Sequence, residues 1–436
     1  MDPGEVAGGG EVTGGGVVTG GDALRPDRFR PGPDGALLVL HVLEAVRGGT
    51  SRHVVDIVRH AVGVRHMVAL SRPGGERSSG AVYDRPAVEA MRRAGAQVVE
   101  IPMHRTPWHP ANAAALTRLR RLLRSTGADV LHGHSSVGGA LARLAGSTTA
   151  VPVVYTANGL AQGRPYLLVE RALGHWTDKW VAVSAGEAEV ALRRGLARPA
   201  ALAVVPNGID LQPPPPAEDL RQRLGIPAGT PLVGTVARLV AQKAPQRFVR
   251  VAAEVAARHP DVHFLHIGMG PLQPLLDAEV GRAGLGPRWH QIRHLDDAPA
   301  ALAQLDAFVL ASEFEGAPYT PLEAMRAGVP VILSDVVGNR DTVRDGVSGF
   351  LRAPADTAGM ADAVLQLLTD ERLRRTVSEQ ATGRLTRRFD AAVMARRLER
   401  VYAEVATGAG ERRSTRRLPH PSGPSSAHSP ESIAAQ

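Results

Sequence analysis

The run Glu313-Phe-Glu315-Gly-Ala-Pro318-Tyr319-Thr320-Pro321-Leu-Glu323-Ala-Met-Arg-Ala-Gly328-Val-Pro-Val-Ile-Leu-Ser-Asp335 decides how this chain is read. Two acids, Glu315 and Glu323, stand with seven residues between them, where a loop turns into a helix. Thr320 suits the N-cap, Pro321 the first helical position and Gly328 the left-handed end. The N–H groups of a first helical turn lack partners within the helix, which makes an anion site. One acid just before such a site and another inside its first turn suit a ligand with hydroxyls beside a phosphate, as in a nucleotide sugar. Thr320-x-x-Glu323 is also a capping box, in which Glu323 would serve the backbone alone. The apolar residues 329–333 that follow read as a buried strand.

The same alternation of strand and helix extends to both sides. Short apolar runs at 36–43, 97–101, 130–132, 151–155 and 180–183 read as strands of a first half, with a helix from Thr50 to His60 after the first. Runs at 232–236, 263–267 and 307–310 repeat the scheme in a second half. Short β-rich runs between helical segments predict parallel sheets covered on both faces. The division falls near Asn207-Gly208, a turn signal followed by the stiff spacer Pro213–Pro216. Two doubly wound domains joined there would place a cleft between the carboxyl ends of both sheets. The expected organisation is a Gly-rich disordered tail over 1–36, domains over 37–205 and 206–388, a terminal helix over 389–408, and a disordered tail over 409–436.

Composition narrows the function. The chain has 436 residues, 44% hydrophobic and 4% aromatic, enough for two cores built mainly of Leu, Val and Ala. There is no cysteine, which excludes disulfides, thiolate zinc sites and thiol catalysis and fits a cytoplasmic setting. A net charge of +8 points to anionic partners. The basic residues are interleaved with acids and accompany no nucleic-acid motif, so no nucleic acid is expected as partner. No apolar run is long enough to span a membrane, and the N-terminal segment lacks the pattern of a secretory signal. The helix carrying Leu116, Leu119, Leu122 and Leu123 opposite Arg118, Arg120, Arg121 and Arg124 either covers a sheet or lies on an anionic membrane.

Further motifs sit at strand ends. Arg238 and Lys243, five apart across a loop, can approach one diphosphate, the Arg bidentately and the Lys as a point charge; they can equally be two solvated bases. Arg47-Gly48-Gly49-Thr50 allows either close backbone approach to a phosphate or a simple tight turn. Gly268-Met-Gly270-Pro271 lacks the third glycine of a dinucleotide fingerprint and reads as a strand-to-helix turn. His132 and His134 point the same way from one strand end, a structural pair or two metal ligands. No third ligand with suitable spacing is evident, so no metal is expected. His104, Arg105 and His109 lie in a loop after a strand and are candidate acceptor contacts.

Over residues 37–406, and most strongly over residues 204–352, the chain resembles the retaining glycosyltransferases of family four, which have the GT-B fold. The resemblance rests on Glu315-x7-Glu323 within its Pro-Leu-Glu-Ala-Met run, on Arg238-Leu-x-x-x-Lys243, on the Gly268 loop and on His132-x-His134. It implies that Arg238 and Lys243 hold the donor diphosphate, Glu315 the sugar hydroxyls and Glu323 the ribose. It further implies that Gly48 and Gly49 reach the donor across the cleft, that Pro318, Tyr319 and Thr320 form its phosphate loop, and that Gly268 and Arg293 border the base. His134 would lie beside the reacting sugar. Asn158 stands where the family often has histidine, and it can donate a hydrogen bond but cannot titrate. Ala244 stands where a glycine is usual. The implied co-substrates are a nucleoside-diphosphate sugar and a glycan, lipid-linked or small-molecule acceptor, with no cofactor, in the cytoplasm or at the inner face of the membrane. Two other classes share parts of the pattern: a sugar-nucleotide epimerase of GT-B fold, which would consume donor without acceptor, and a non-catalytic basic membrane-surface protein.

Overall fold

The computed structural model describes residues 35–46, 48–71, 84–160, 163–213, 218–295 and 298–416. The expected tails therefore lie largely outside the described residues, as do Arg47 and most of the Pro213–Pro216 spacer.

Two parallel sheets organise the chain. The first contains β1 (Leu38–Leu43), β2 (Arg65–Leu70), β3 (Gln97–Glu100), β4 (Val130–His134), β5 (Val153–Thr156), β6 (Lys179–Ala182) and β7 (Leu202–Val204), in the order β3-β2-β1-β4-β5-β6-β7. The second contains β8 (Leu232–Val236), β9 (His263–Ile267), β10 (Trp289–Ile292), β11 (Ala307–Leu310), β12 (Val331–Ser334) and β13 (Phe350–Arg352), in the order β10-β9-β8-β11-β12-β13. The strands β1, β11 and β12 are buried along their length, which is why they are built mainly of Val, Leu and Ile, with His41 the one imidazole among them. An aspartate ahead of each middle strand braces its neighbour. Asp129 Oδ2 accepts from Leu38 N at 2.7 Å, and Asp306 Oδ2 from Leu232 N at 2.8 Å. In both sheets the strand order reverses there, between β1 and β4 and between β8 and β11, and ligands of such folds bind at that point.

Four strands escape the sequence reading: β2, β7, β10 and β13. Three of them, β7, β10 and β13, are edge strands, and Trp289-His-Gln-Ile in β10 is too polar to read as a buried run. The leucine helix, Ala111–Thr126, packs Leu119, Leu122 and Leu123 into the first core, so its apolar face covers the sheet; Arg118, Arg121 and Arg124 are exposed, while Arg120 is half-buried and donates to Leu144 O at 3.1 Å.

The helix Ala391–Arg416 runs past the boundary expected at 408. Met394, Leu398, Val401, Tyr402 and Val405 press into the first sheet against Val39, Val130, Val154 and Val181. The chain thus crosses between the sheets twice, and the crossings run side by side. Ile209 N donates to Phe389 O at 2.8 Å, and Ala391 N to Ile209 O at 3.0 Å. A Cβ on Gly208 would come within 2.6 Å of Ala391 Cα, so only glycine permits this approach. Among the described residues no helix is long and apolar enough to cross a membrane.

Candidate functional site

On the second-sheet side the site is built from the ends of β8 and β11. After β8 the chain passes Arg238 and enters a 3-10 turn, Ala241–Lys243, which turns Lys243 back toward the loop after β11. There Lys243 Nζ meets Glu315 Oε1 at 2.5 Å, with side chains 14% and 5% exposed. Ala244, where the resembled family usually has glycine, takes φ 44°, a left-handed conformation that costs any residue with a Cβ. Burial and the nearby guanidinium of Arg105 both work against the Arg238 charge, while Glu315 favours it. Arg238, Lys243 and Glu315 thus form one charge cluster, and Arg105 joins it from the first domain.

The helix after Glu315 begins earlier than the sequence suggests. It spans Tyr319–Arg326, with Pro318 at the N-cap and no side-chain cap bond. Thr320 and Pro321 therefore lie inside the first turn, and the capping box is not formed. Proline is tolerated there because the first-turn N–H groups have no intrahelical acceptor. Glu323 instead faces Arg52 of the first domain, 3.6 Å from Oε1 to Nη1. Burial raises the Glu323 pKa, and Arg52 and Arg326 oppose the rise. Arg52 also holds the buried Asp56 at 2.8 Å; burial still lifts Asp56 to about 6.

On the first-sheet side, Gly48 and Gly49 open the helix Gly48–His60. Gly48 has φ 61°, and a Cβ on Gly49 would sit 3.5 Å from the Tyr319 ring. Tyr319 thereby spans the cleft, its hydroxyl 3.5 Å from His53 Nδ1. Asn158 has φ 55° and a buried Nδ2 with no hydrogen-bond partner among the described residues. Beside it Gly159 touches the second domain, where a Cβ on Gly316 would lie 2.9 Å from Gly159 Cα.

His134 ends β4 and is fully buried. It does not stand in a pair alone. His41 in β1 is registered opposite His132, and the rings of His41, His132 and His134 lie 4.0 to 5.5 Å apart. Their nitrogens fall within 4.8 Å of one another, so the third imidazole absent from the spacing is supplied by the neighbouring strand. Each ring also has protein partners: His132 bonds Tyr402 Oη and Thr156 Oγ1 at 2.8 Å each, and His41 bonds His134 and His66. Burial, reinforced by the neighbouring imidazoles, holds His41, His132 and His134 well below the usual histidine range.

Asn112 clamps the loop over 104–109, accepting from His104 N at 2.8 Å and donating to His104, Thr106 and Pro107 carbonyls. His104 and His109 stack 4.0 Å apart. Arg105 acts on Glu44, a buried carboxylate whose pKa burial raises and whose oxygens accept from Ser135 Oγ and Gly138 N at 3.0 Å each. Gly268 and Gly270 have a structural reason to be glycine, because a Cβ on either would run into the carbonyl oxygens of Ala237 and Leu239. Arg293 is exposed just past β10. Sequence reasoning missed Arg52, His53, His41 and Glu44. For Arg52 and His53 the signal was their place directly after the Gly-Gly loop; the others carried none.

Two family models match the chain: "Glycosyltransferase Family 4" over residues 47–213 and "Glycosyl transferases group 1" over residues 216–384. The 2-deoxystreptamine glucosyltransferase of Streptomyces kanamyceticus is 32% identical, covering 59% of this chain and 73% of its own. The UDP-Gal:alpha-D-GlcNAc-diphosphoundecaprenol alpha-1,3-galactosyltransferase of Escherichia coli is 28% identical, covering 67% and 79%. Among solved structures, HepE of Anabaena in complex with UDP and glucose superposes with a TM-score of 0.71 at 20% identity, over 84% of this chain and all of the other, and bears on the fold alone.

Proposed function

The chain belongs to glycosyltransferase family 4 and has the GT-B fold, and from that premise we propose that it moves a sugar from a nucleoside diphosphate to a hydroxyl acceptor with retention at the anomeric carbon. The observation that carries the reading is the meeting of Arg238, Lys243 and Glu315 at the ends of β8 and β11, across the cleft from His134 and Gly49. The nucleotide lies on the second domain. Its diphosphate takes the two cations, which offset the charge that grows as the sugar C1–O bond breaks. Stabilising charge as it develops is commonly the main source of rate in such catalysis. The first-turn N–H groups behind Pro318 add to this. Glu315 holds sugar hydroxyls and Glu323 the ribose. The acceptor oxygen bonds to C1 on the face the diphosphate leaves, and its proton passes to the departing phosphate oxygen. The contacts of Tyr319 with Gly49 and of Arg52 with Glu323 close the cleft against water, which would otherwise hydrolyse the donor.

The acceptor enters from the first domain, past His104, Arg105 and Asn158. The relatives support two acceptor classes, a diphosphoundecaprenol-linked sugar and an aminocyclitol. If the acceptor is lipid-linked, Arg118, Arg121 and Arg124 would meet the anionic inner face of the membrane.

A thermal-shift screen of UDP-, GDP- and ADP-sugars tests the donor. A ligand at about 100 times its dissociation constant adds about 2.7 kcal/mol of stability. Nucleotide release that requires added acceptor supports transfer. Donor consumption without acceptor that yields an isomeric nucleotide sugar would favour the epimerase instead.

A further inference from the structure

Three buried histidines form a hydrogen-bonded chain that begins at a backbone carbonyl and ends at the cleft. His66 Nε2 lies 2.9 Å from Ala61 O, His41 Nε2 3.1 Å from His66 Nδ1, and His134 Nε2 3.0 Å from His41 Nδ1. The tautomers follow from the network. A carbonyl oxygen only accepts, so His66 carries its proton on Nε2. A neutral His66 then presents a bare Nδ1, and His41 must donate to it from Nε2. The step repeats: His41 presents a bare Nδ1, and His134 donates from Nε2. The three residues sit on β2, β1 and β4, which are neighbours in the sheet. Burial lowers the pKa of all three, and neighbouring imidazoles lower His41 and His134 further, so the rings are neutral.

What remains at the end is His134 Nδ1, buried and without a hydrogen-bond partner among the described residues. A buried acceptor left so is costly unless something donates to it. A second such nitrogen, His53 Nε2, belongs to a ring 5.6 Å from that of His134. His53 in turn touches Tyr319 of the second domain, so this place lies where the two domains meet.

We infer that His66 and His41 are positioning residues that fix His134 as its Nε2–H tautomer, so that the bare Nδ1 accepts a hydrogen bond from a hydroxyl of the transferred sugar. The inference rests on the reading that His134 faces that sugar. It gives His134 an acceptor's role: with Nδ1 bare, it orients a hydroxyl but does not protonate the leaving oxygen. A metal ion gathered by His41, His132 and His134 is the competing use of the same rings, and it would have to break the His41–His134 bond.

Nitrogen-15 NMR of the histidine-labelled protein at neutral pH reads the tautomers directly, with His66→Asn, His41→Asn and His134→Asn for assignment. The expected spectrum has His66, His41 and His134 all protonated on Nε2 only. An Nδ1–H or doubly protonated His134, or metal-shifted rings with a stoichiometric ion in the purified protein, overturns the relay. Function is read with the donor found in the thermal screen. His66→Leu removes the acceptor for His41 and frees the tautomers; kcat should fall roughly tenfold, the size of one net hydrogen bond, with UDP affinity unchanged. His66→Asn, which can present an amide oxygen near the Nδ1 position, should restore most of kcat. Equal kcat in His66→Leu and the parent protein overturns the positioning role. If His66→Leu does not fold, the spectrum of the unaltered protein still decides. Full activity in His134→Ala, with the expected spectrum, would refute the contact to sugar while leaving the relay standing.

Discussion

Replacing Lys243 by Met should damage both stability and catalysis, and a second change at Glu315 should repair only the first. Lys243 Nζ lies 2.5 Å from Glu315 Oε1, with only 14% and 5% of the side chains exposed. Without the ammonium, Glu315 keeps a buried charge with Arg238 as its remaining cation. Breaking a buried pair from one side costs about 3–5 kcal/mol; solvent at Lys243 and the field of Arg238 reduce the expectation here to about 2–3 kcal/mol. Glu315→Gln in the Lys243→Met background removes the stranded charge, so most of that stability should return. Turnover should not return, because the developing diphosphate has lost a cation worth about 2–4 kcal/mol, or roughly 30- to 1000-fold in kcat/KM. Urea unfolding measures the first effect, and calorimetry with UDP together with donor turnover the second. A double variant that binds UDP as tightly as the parent would make Lys243 merely the counter-ion of Glu315, and the diphosphate reading would be wrong.

Glu323→Gln should weaken UDP binding and leave the melting temperature nearly unchanged or higher, since burial already disfavours the carboxylate; a lower melting temperature with intact UDP affinity would assign Glu323 to holding Arg52 alone. Stability should fall in acid through His266, which burial holds near 4 while the unfolded chain titrates near its ordinary value of 6.5. The unfolded state takes the proton first, so stability is lost as pH drops from about 6.5 toward 4, by about 2 kcal/mol at a pH of about 5. Because both His266 ring nitrogens lack hydrogen-bond partners among the described residues, His266→Phe should fold and lose that acid limb; unfolding curves of parent and variant that stay parallel between neutral and mildly acidic pH would count against this. Donor turnover should persist in EDTA, and its loss, restored by one divalent metal, would shift attention to the three clustered imidazoles.

The parts of this fold legible in the sequence were those with unmistakable local chemistry. Glu315, Glu323 and Gly328 announced a loop, a helix and its end, and short, mainly apolar runs announced the central strands. The start of the helix was misplaced because Thr320 and Pro321 carry good capping chemistry, yet the extended backbone of Pro318 (ψ 140°) already turns the chain into the helix. The Lys243–Glu315 contact was invisible because it joins residues 72 apart across two strand ends. His41 looked like an ordinary strand residue, and only the register of β1 against β4 brings it beside His132. Glu44 was missed for the same reason, since its partners Ser135 and Gly138 lie beyond β4.

The helix Ala391–Arg416 has a consequence for how the protein is made. Val39, Val130, Val154 and Val181 are translated early, but the side chains that cover them, Met394 to Val405, come roughly two hundred residues after β7. At roughly 5–20 residues per second, the ribosome leaves that apolar face open for on the order of 10–40 s. During this interval the second sheet, whose core is drawn from residues 209–389, can finish folding by itself. The half made first is therefore the half completed last, and on the nascent chain it is the natural client for a chaperone.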